Sequence, residues 1–134
     1  MGFGVERRPV LVTSGTVAAT SSLTTTSSFQ DVPGLTMTAS AASAGFAIVT
    51  IVADVSVAAG ATVVCRLNVD AVGQTREIIA EFPVTTARGT FAQTYRVSLA
   101  AGDHTLKVEG KHVSGSASTV SSSHSTLSYI FIPS

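Results

Sequence analysis

The stretch FAIVTIVADVSV, residues 46–57, sets the tightest limit on what this chain can fold into. Taken at period two, Ala47, Val49, Ile51, Ala53, Val55 and Val57 form one unbroken apolar face. The alternate positions are Phe46, Ile48, Thr50, Val52, Asp54 and Ser56, apolar first and polar after. The run is too short for a membrane-spanning helix, and Asp54 interrupts it. A strand with one core face and a second, half-apolar face is what the pattern predicts.

The same period recurs along the chain, and helical periodicity is absent. Val63, Cys65, Leu67 and Val69 alternate with Thr62, Val64, Arg66 and Asn68. Phe91, Tyr95, Val97 and Leu99 share a face on which Gln93 is the exception. Leu106 and Val108 are expected inward, with Lys107 and Glu109 outward. Ile78, Ala80 and Phe82 form another inward set, and Leu127, Tyr129 and Phe131 oppose Ser128, Ile130 and Ile132. Turn chemistry separates these runs. DAVGQ (70–74) reads as a hairpin, AAGD (100–103) as a tight connection, and KHVSGSAS (111–118) as a longer, flexible loop. SSFQDVPGLTMTA (27–39) reads as a strand broken at Pro33-Gly34 by a bulge or kink. Residues 10–25 alternate weakly and fit either an edge strand or an extended arm, and residues 1–9 read as a tail.

Composition agrees. The chain has 134 residues, with eighteen each of Ser, Thr, Val and Ala. β-Branched residues suit a pleated sheet, and strong helix formers are scarce. The expectation is an all-β protein: a single antiparallel jelly-roll β-sandwich of about eight strands over 27–134, preceded by an N-terminal arm or edge segment over 1–26.

Charge excludes several roles. Formal net charge is zero and only 12% of residues are charged, so no field draws nucleic acid or anionic lipid. Neither nucleic acid nor membrane is expected as a partner. The N-terminus lacks the basic start and apolar run of a signal peptide, and Glu6 stands where a myristoylation motif wants Ser or Thr. A soluble protein made in the cytoplasm is the expectation.

Phe46, Ile48 and Val52 need cover on the second face of their strand. A loop or the N-terminal segment supplies it, or another subunit does. Ile130 and Ile132 raise the same question at the C-terminus, because Tyr129 and Phe131 already take the core side.

The order of these phrases has a likeness. SSFQDVPGLTMTA, the apolar strand, CRLNVDAVGQ, YRVSLAAGDHTLKVEGK and the closing STLSYIFI together resemble the compact jelly-roll domains of phage virion proteins. Those occur as capsid decoration proteins and as heads of tail or head fibres, similar in shape to tumour-necrosis-factor and C1q heads. The resemblance covers about residues 27–133 as a pattern, with no diagnostic short motif. It implies a homotrimer packed around a three-fold axis, with Phe46, Ile48, Val52, Ile130 and Ile132 as the contact. It further implies a virion location, with major capsid protein or other virion subunits as partners. Arg7, Arg8 and Pro9 are then candidates for an arm that anchors to a capsid. A fibre head recognising host surface glycans through residues 70–74, 84–90 and 111–124 is the alternative.

Reaction chemistry is not visible. There is no G-x-S-x-G elbow, phosphate loop, EF-hand spacing or catalytic carboxylate pair, so no enzyme and no cofactor are expected. His104, His112 and His124 lack metal-ligand spacing, although a three-fold axis would triple His112 or His124. Cys65 reads as a small buried hydrophobe. Both tyrosines, Tyr95 and Tyr129, fall on inward faces, and there is no Trp. That counts against an aromatic sugar platform.

Overall fold

Every regular element of the computed structural model, which describes residues 12–82 and 84–134, is a β-strand. They are β1 (Thr13–Ala18), β2 (Leu23–Thr24), β3 (Gln30–Ala41), β4 (Gly45–Val57), β5 (Thr62–Val69), β6 (Val72–Glu81), β7 (Ala87–Leu99), β8 (Gly102–Ser114) and β9 (Thr119–Pro133). Sheet A has the order β1-β9-β4-β7, with β2 also paired to β9, and sheet B has the order β3-β8-β5-β6. All pairs are antiparallel. Among the long strands only β5 and β6 are joined within one sheet; from β3 onward the other connections pass between sheets. This winding is the expected jelly-roll sandwich.

The core is the inward half of each alternation. Val49, Ile51, Val55 and Val57 of β4 meet Val63 and Leu67 of β5, Leu106 and Val108 of β8, and Leu127 of β9, all fully buried. Cys65 joins them, and burial pushes its thiol up to about 12. It is a packed apolar group with no thiolate at neutral pH.

The turns follow their residues. Asp70 and Ala71 both take positive φ, the two-residue hairpin whose twist matches its strands. Asp70 tolerates that backbone because its Oδ1 accepts the Thr105 N–H at 2.8 Å. The β3–β8 register shifts between Asp31 and Thr36, where Gly34 has φ +86°, so the break at Pro33-Gly34 is a bulge.

Two expectations are overturned, one is decided between its alternatives, and one lies outside the described residues. Of the options for residues 10–25, edge strand describes 13–18: β1 pairs with β9 from Thr13↔Phe131 to Ala18↔Thr126. Arg7, Arg8 and Pro9 lie outside the described residues. The loop expected over 111–118 shrinks to residues 115–118, because β8 runs to Ser114 and β9 starts at Thr119. Thr25 draws that corner in: its Oγ1 accepts the Ser118 N–H at 2.9 Å and faces His112 Nδ1 at 3.0 Å. Val64, Asn68 and Glu109, expected on a solvated face, are all buried. Long neighbours cover them. Val64 sits between Lys111 and Ile79 in register, and Asn68 Nδ2 and Arg66 Nε both donate to Glu109 Oε1 at 3.1 and 3.0 Å.

Candidate functional site

The outer face of sheet A carries the residues that the sequence singled out. Antiparallel pairing sets its side chains in rows across the strands. One row is Ile132–Phe46–Ser98 and the next Ser14–Ile130–Ile48–Arg96. Phe46, Ile48, Ile130 and Ile132 therefore form one two-by-two apolar block on the two central strands, at the end where β4 begins and β9 finishes. Ile130 is 48% exposed, and the other three are half-buried against one another and against Arg96. The Arg96 guanidinium lies 4.3 Å over the Phe46 ring.

Val52 does not join this block. A row of hydroxyls, Thr16–Ser128–Thr50–Thr94, lies between, with Thr50 and Thr94 Oγ1 atoms 3.3 Å apart. Val52 sits in the following row with Ala18, Thr126 and Ala92, a strip of small side chains. The sequence shows each of these residues, but not that four strands line up their hydroxyls; that needs the register.

Beyond Val52 the face turns polar in a way the sequence reading missed. Asp54 is only 1% exposed. Arg88 reaches it as a fork, Nε to Oδ1 at 3.0 Å and Nη2 to Oδ2 at 2.6 Å. The hydrogen bond from Arg88 holds the Asp54 carboxyl below its usual range, against the opposing effect of burial. On its other side β4 pairs with β9, and that pairing carries a bulge at the same point. Val52 pairs with Thr126 but Asp54 pairs with Ser121, so residues 122–125 loop out of β9. Ser125 Oγ donates to the Ser121 carbonyl at 2.6 Å and accepts the Asp54 N–H at 3.0 Å. The signal for this pair was an acid in an apolar run and a lone Arg88 in a stretch read as loop; β7 begins at Ala87 and places them together.

Two grooves flank Ile48. One, of about 570 Å³, runs between β1, β9 and β4 along Ser14, Thr16, Thr50 and Ile130. The other, of about 430 Å³, lies over the free edge of β7 towards residues 74–76 of β6.

The histidines do not converge. His104 is held at one end of the sandwich, Nδ1 at 2.6 Å from Asp70 Oδ2 and Nε2 at 2.6 Å from the Ala100 carbonyl. Two acceptors on one ring favour the imidazolium, and the Asp70 bond chiefly raises its pKa. His112 is tied to Thr25, and His124 is exposed in the β9 bulge. Among the described residues no three metal-ligating side chains cluster.

No family model matches the sequence, and no curated protein matches it. Solved structures do match in shape. The structure of Eiger TNF from S. frugiperda superimposes with a TM-score of 0.59 at 13% identity, over 92% of this chain and 93% of that one. The globular domain of zebrafish complement 1qA gives 0.53 at 11% identity, over 92% and 96%. VP2 of the infectious bursal disease virus subviral particle gives 0.52 at 13% identity, over 98% of this chain but 37% of VP2. At these identities the likeness establishes the fold: a jelly-roll of the tumour-necrosis-factor and C1q head type, also found within a viral capsid protein.

Proposed function

We propose that the chain is a non-enzymatic virion subunit, a capsid decoration protein that forms a homotrimer through the outer face of sheet A. The observation that carries this reading is the block Phe46, Ile48, Ile130 and Ile132. The core is already filled from the other side of the same strands, with Ala47, Val49 and Phe131 at 0–1% exposure. An apolar block with a hydroxyl row beside it and charges at its rim has the make-up of an association surface. The occupant is another copy of the chain, because the likeness stated from the sequence implies a ring of three and the fold found here is of that head type.

In this role the trimer binds the assembled shell of a phage and not the free capsid subunits. A ligand that binds only the assembled state stabilises it by mass action, without any bond being made or broken in the shell. Residues 1–9, with Arg7, Arg8 and Pro9, are the proposed anchor to major capsid protein. The shell reading is tested by heating purified phage shells with and without the protein. Added protein should raise the temperature at which shells release their contents, and a chain lacking residues 1–9 should not, while keeping the mass of the intact oligomer. Shells whose release temperature is indifferent to the protein would reject the decoration role.

A further inference from the structure

We propose that the groove over the β6–β7 edge is a binding site for an acidic sugar, a hydroxylated ring carrying a carboxylate. The groove has a cationic rim that nothing in the described chain neutralises. Arg66, Arg88 and Lys107 each have a carboxylate within 3.1 Å, at Glu109, Asp54 and Asp31. Lys111 and Arg66 also lie over the Phe29 ring. Among the described residues Arg76 and Arg96 have no carboxylate within 4 Å, Arg96 lying over the Phe46 ring as Lys111 lies over Phe29. They line the same groove, one from each sheet.

The walls are fixed in advance. Tyr95 points inward from β7, its hydroxyl donating to the Arg76 carbonyl and accepting the Leu67 N–H at 3.3 Å. That one phenol ties the free edge of sheet A to β5 and β6 of sheet B, so the spacing between the two arginines is set by the core. The Phe46 ring lies under the Arg96 guanidinium, and it offers no acceptor to the guanidinium N–H groups beyond its π-face. A planar carboxylate is the group that a guanidinium edge grips with two parallel bonds.

The remaining lining separates a sugar from other anions. Gln74, Thr75 and Thr94 supply neutral donors and acceptors suited to ring hydroxyls, and Ile48 gives a small apolar floor. About 430 Å³ of space accommodates one or two sugar rings, more than a bare phosphate or sulfate would use. The glycan-binding loops nominated from the sequence are elsewhere, apart from Gln74. The groove was not legible there because it joins β6 and β7, the edges of two sheets that meet only in the packed sandwich.

The groove shares Ile48 with the proposed trimer contact, so it is probed from its sheet B side. Arg76 and Gln74 belong to sheet B, so changing Arg76 probes the groove and leaves the outer face of sheet A untouched. The test is an NMR titration of the isotope-labelled full chain with glucuronate and with N-acetylneuraminate. Glucose, N-acetylglucosamine, inorganic phosphate, sulfate and a glutamate-rich peptide are the comparison arms. The expected result is saturable shifts of the Thr75, Arg76, Thr94 and Arg96 amides with an acidic sugar, below roughly 10 mM. Arg76→Gln should weaken this about tenfold, with Arg76→Lys recovering part, at unchanged unfolding temperature and subunit mass. Equal response to neutral sugars, response confined to phosphate, sulfate or the peptide, or undiminished binding by a folded Arg76→Gln variant would overturn the proposal.

Discussion

The outer faces of the two sheets have been built to opposite ends. On sheet B the charges close on one another. Glu109 takes Arg66 and Asn68, Lys107 meets Asp31 at 3.1 Å, and the Arg66 guanidinium lies 3.7 Å over Phe29. These groups are satisfied within the chain, while Val72, Ile79 and Val113 stay exposed as separate side chains. On sheet A the two central strands carry two isoleucine rows and a hydroxyl row, and the rim of the sheet holds an uncompensated Arg96. Both faces come from strands with equally regular alternation. What separates them is whether the outward residues find partners within the chain, and that is decided by which strands the winding makes neighbours.

The contrast can be broken most directly by placing one charge on each face. Ile48→Asp buries an unpaired carboxylate in the proposed contact and should weaken self-association at least about a hundredfold, read as a fall to subunit mass by light scattering. Ile79→Asp, at the 62%-exposed Ile79 of sheet B, should leave the mass unchanged. If Ile79→Asp dissociates the protein and Ile48→Asp does not, the faces have been assigned the wrong way round. Next in size is Asp54→Ala, which strands Arg88 and keeps the backbone N–H bond to the Ser125 hydroxyl. It should lower the unfolding temperature by about 5 °C or more. An unchanged transition would mean that the fork is surface decoration. Glu109→Ala removes the acceptor that organises sheet B and should cost about 1–2 kcal/mol in denaturant unfolding, with the oligomer mass intact. A change in mass there would show that sheet B also makes contacts between copies.

The smallest effect lies at the end of the sandwich. The folded-state pKa of His104 is raised above its ordinary 6.5, first by the Asp70 bond. Its contribution to stability is therefore complete below pH 6.5 and is lost as pH rises through the folded value. The gap in unfolding temperature between the wild type and His104→Gln should be about 1–2 °C in mild acid and shrink above that value. A gap that stays constant up to pH 9 would remove the imidazolium from the account.

Much of this architecture was legible in the sequence, and the exceptions share a cause. The inward face of β4 and the paired positions of Leu127, Tyr129 and Phe131 follow from period two alone, because burial of apolar side chains acts residue by residue. The bulge at Pro33-Gly34 and the Asp70 turn follow from local backbone chemistry. The Asp54–Arg88 fork, the cover over Glu109, the hydroxyl row and the two-arginine groove depend on residues 34 or more positions apart or on opposite sheets. Alternation says which way a side chain points and nothing about what stands beside it. For the same reason the sequence groups Val52 with Ile48: four residues on in β4, it falls beyond a row of hydroxyls that only the register reveals.

The most direct measurement is sedimentation equilibrium of the unmodified full chain across the micromolar range, with circular dichroism on the same samples. A homotrimer built on the outer face of sheet A predicts three times the subunit mass, persisting on dilution, with a full β spectrum. A single-subunit mass at every dilution, with that spectrum undiminished, would contradict it.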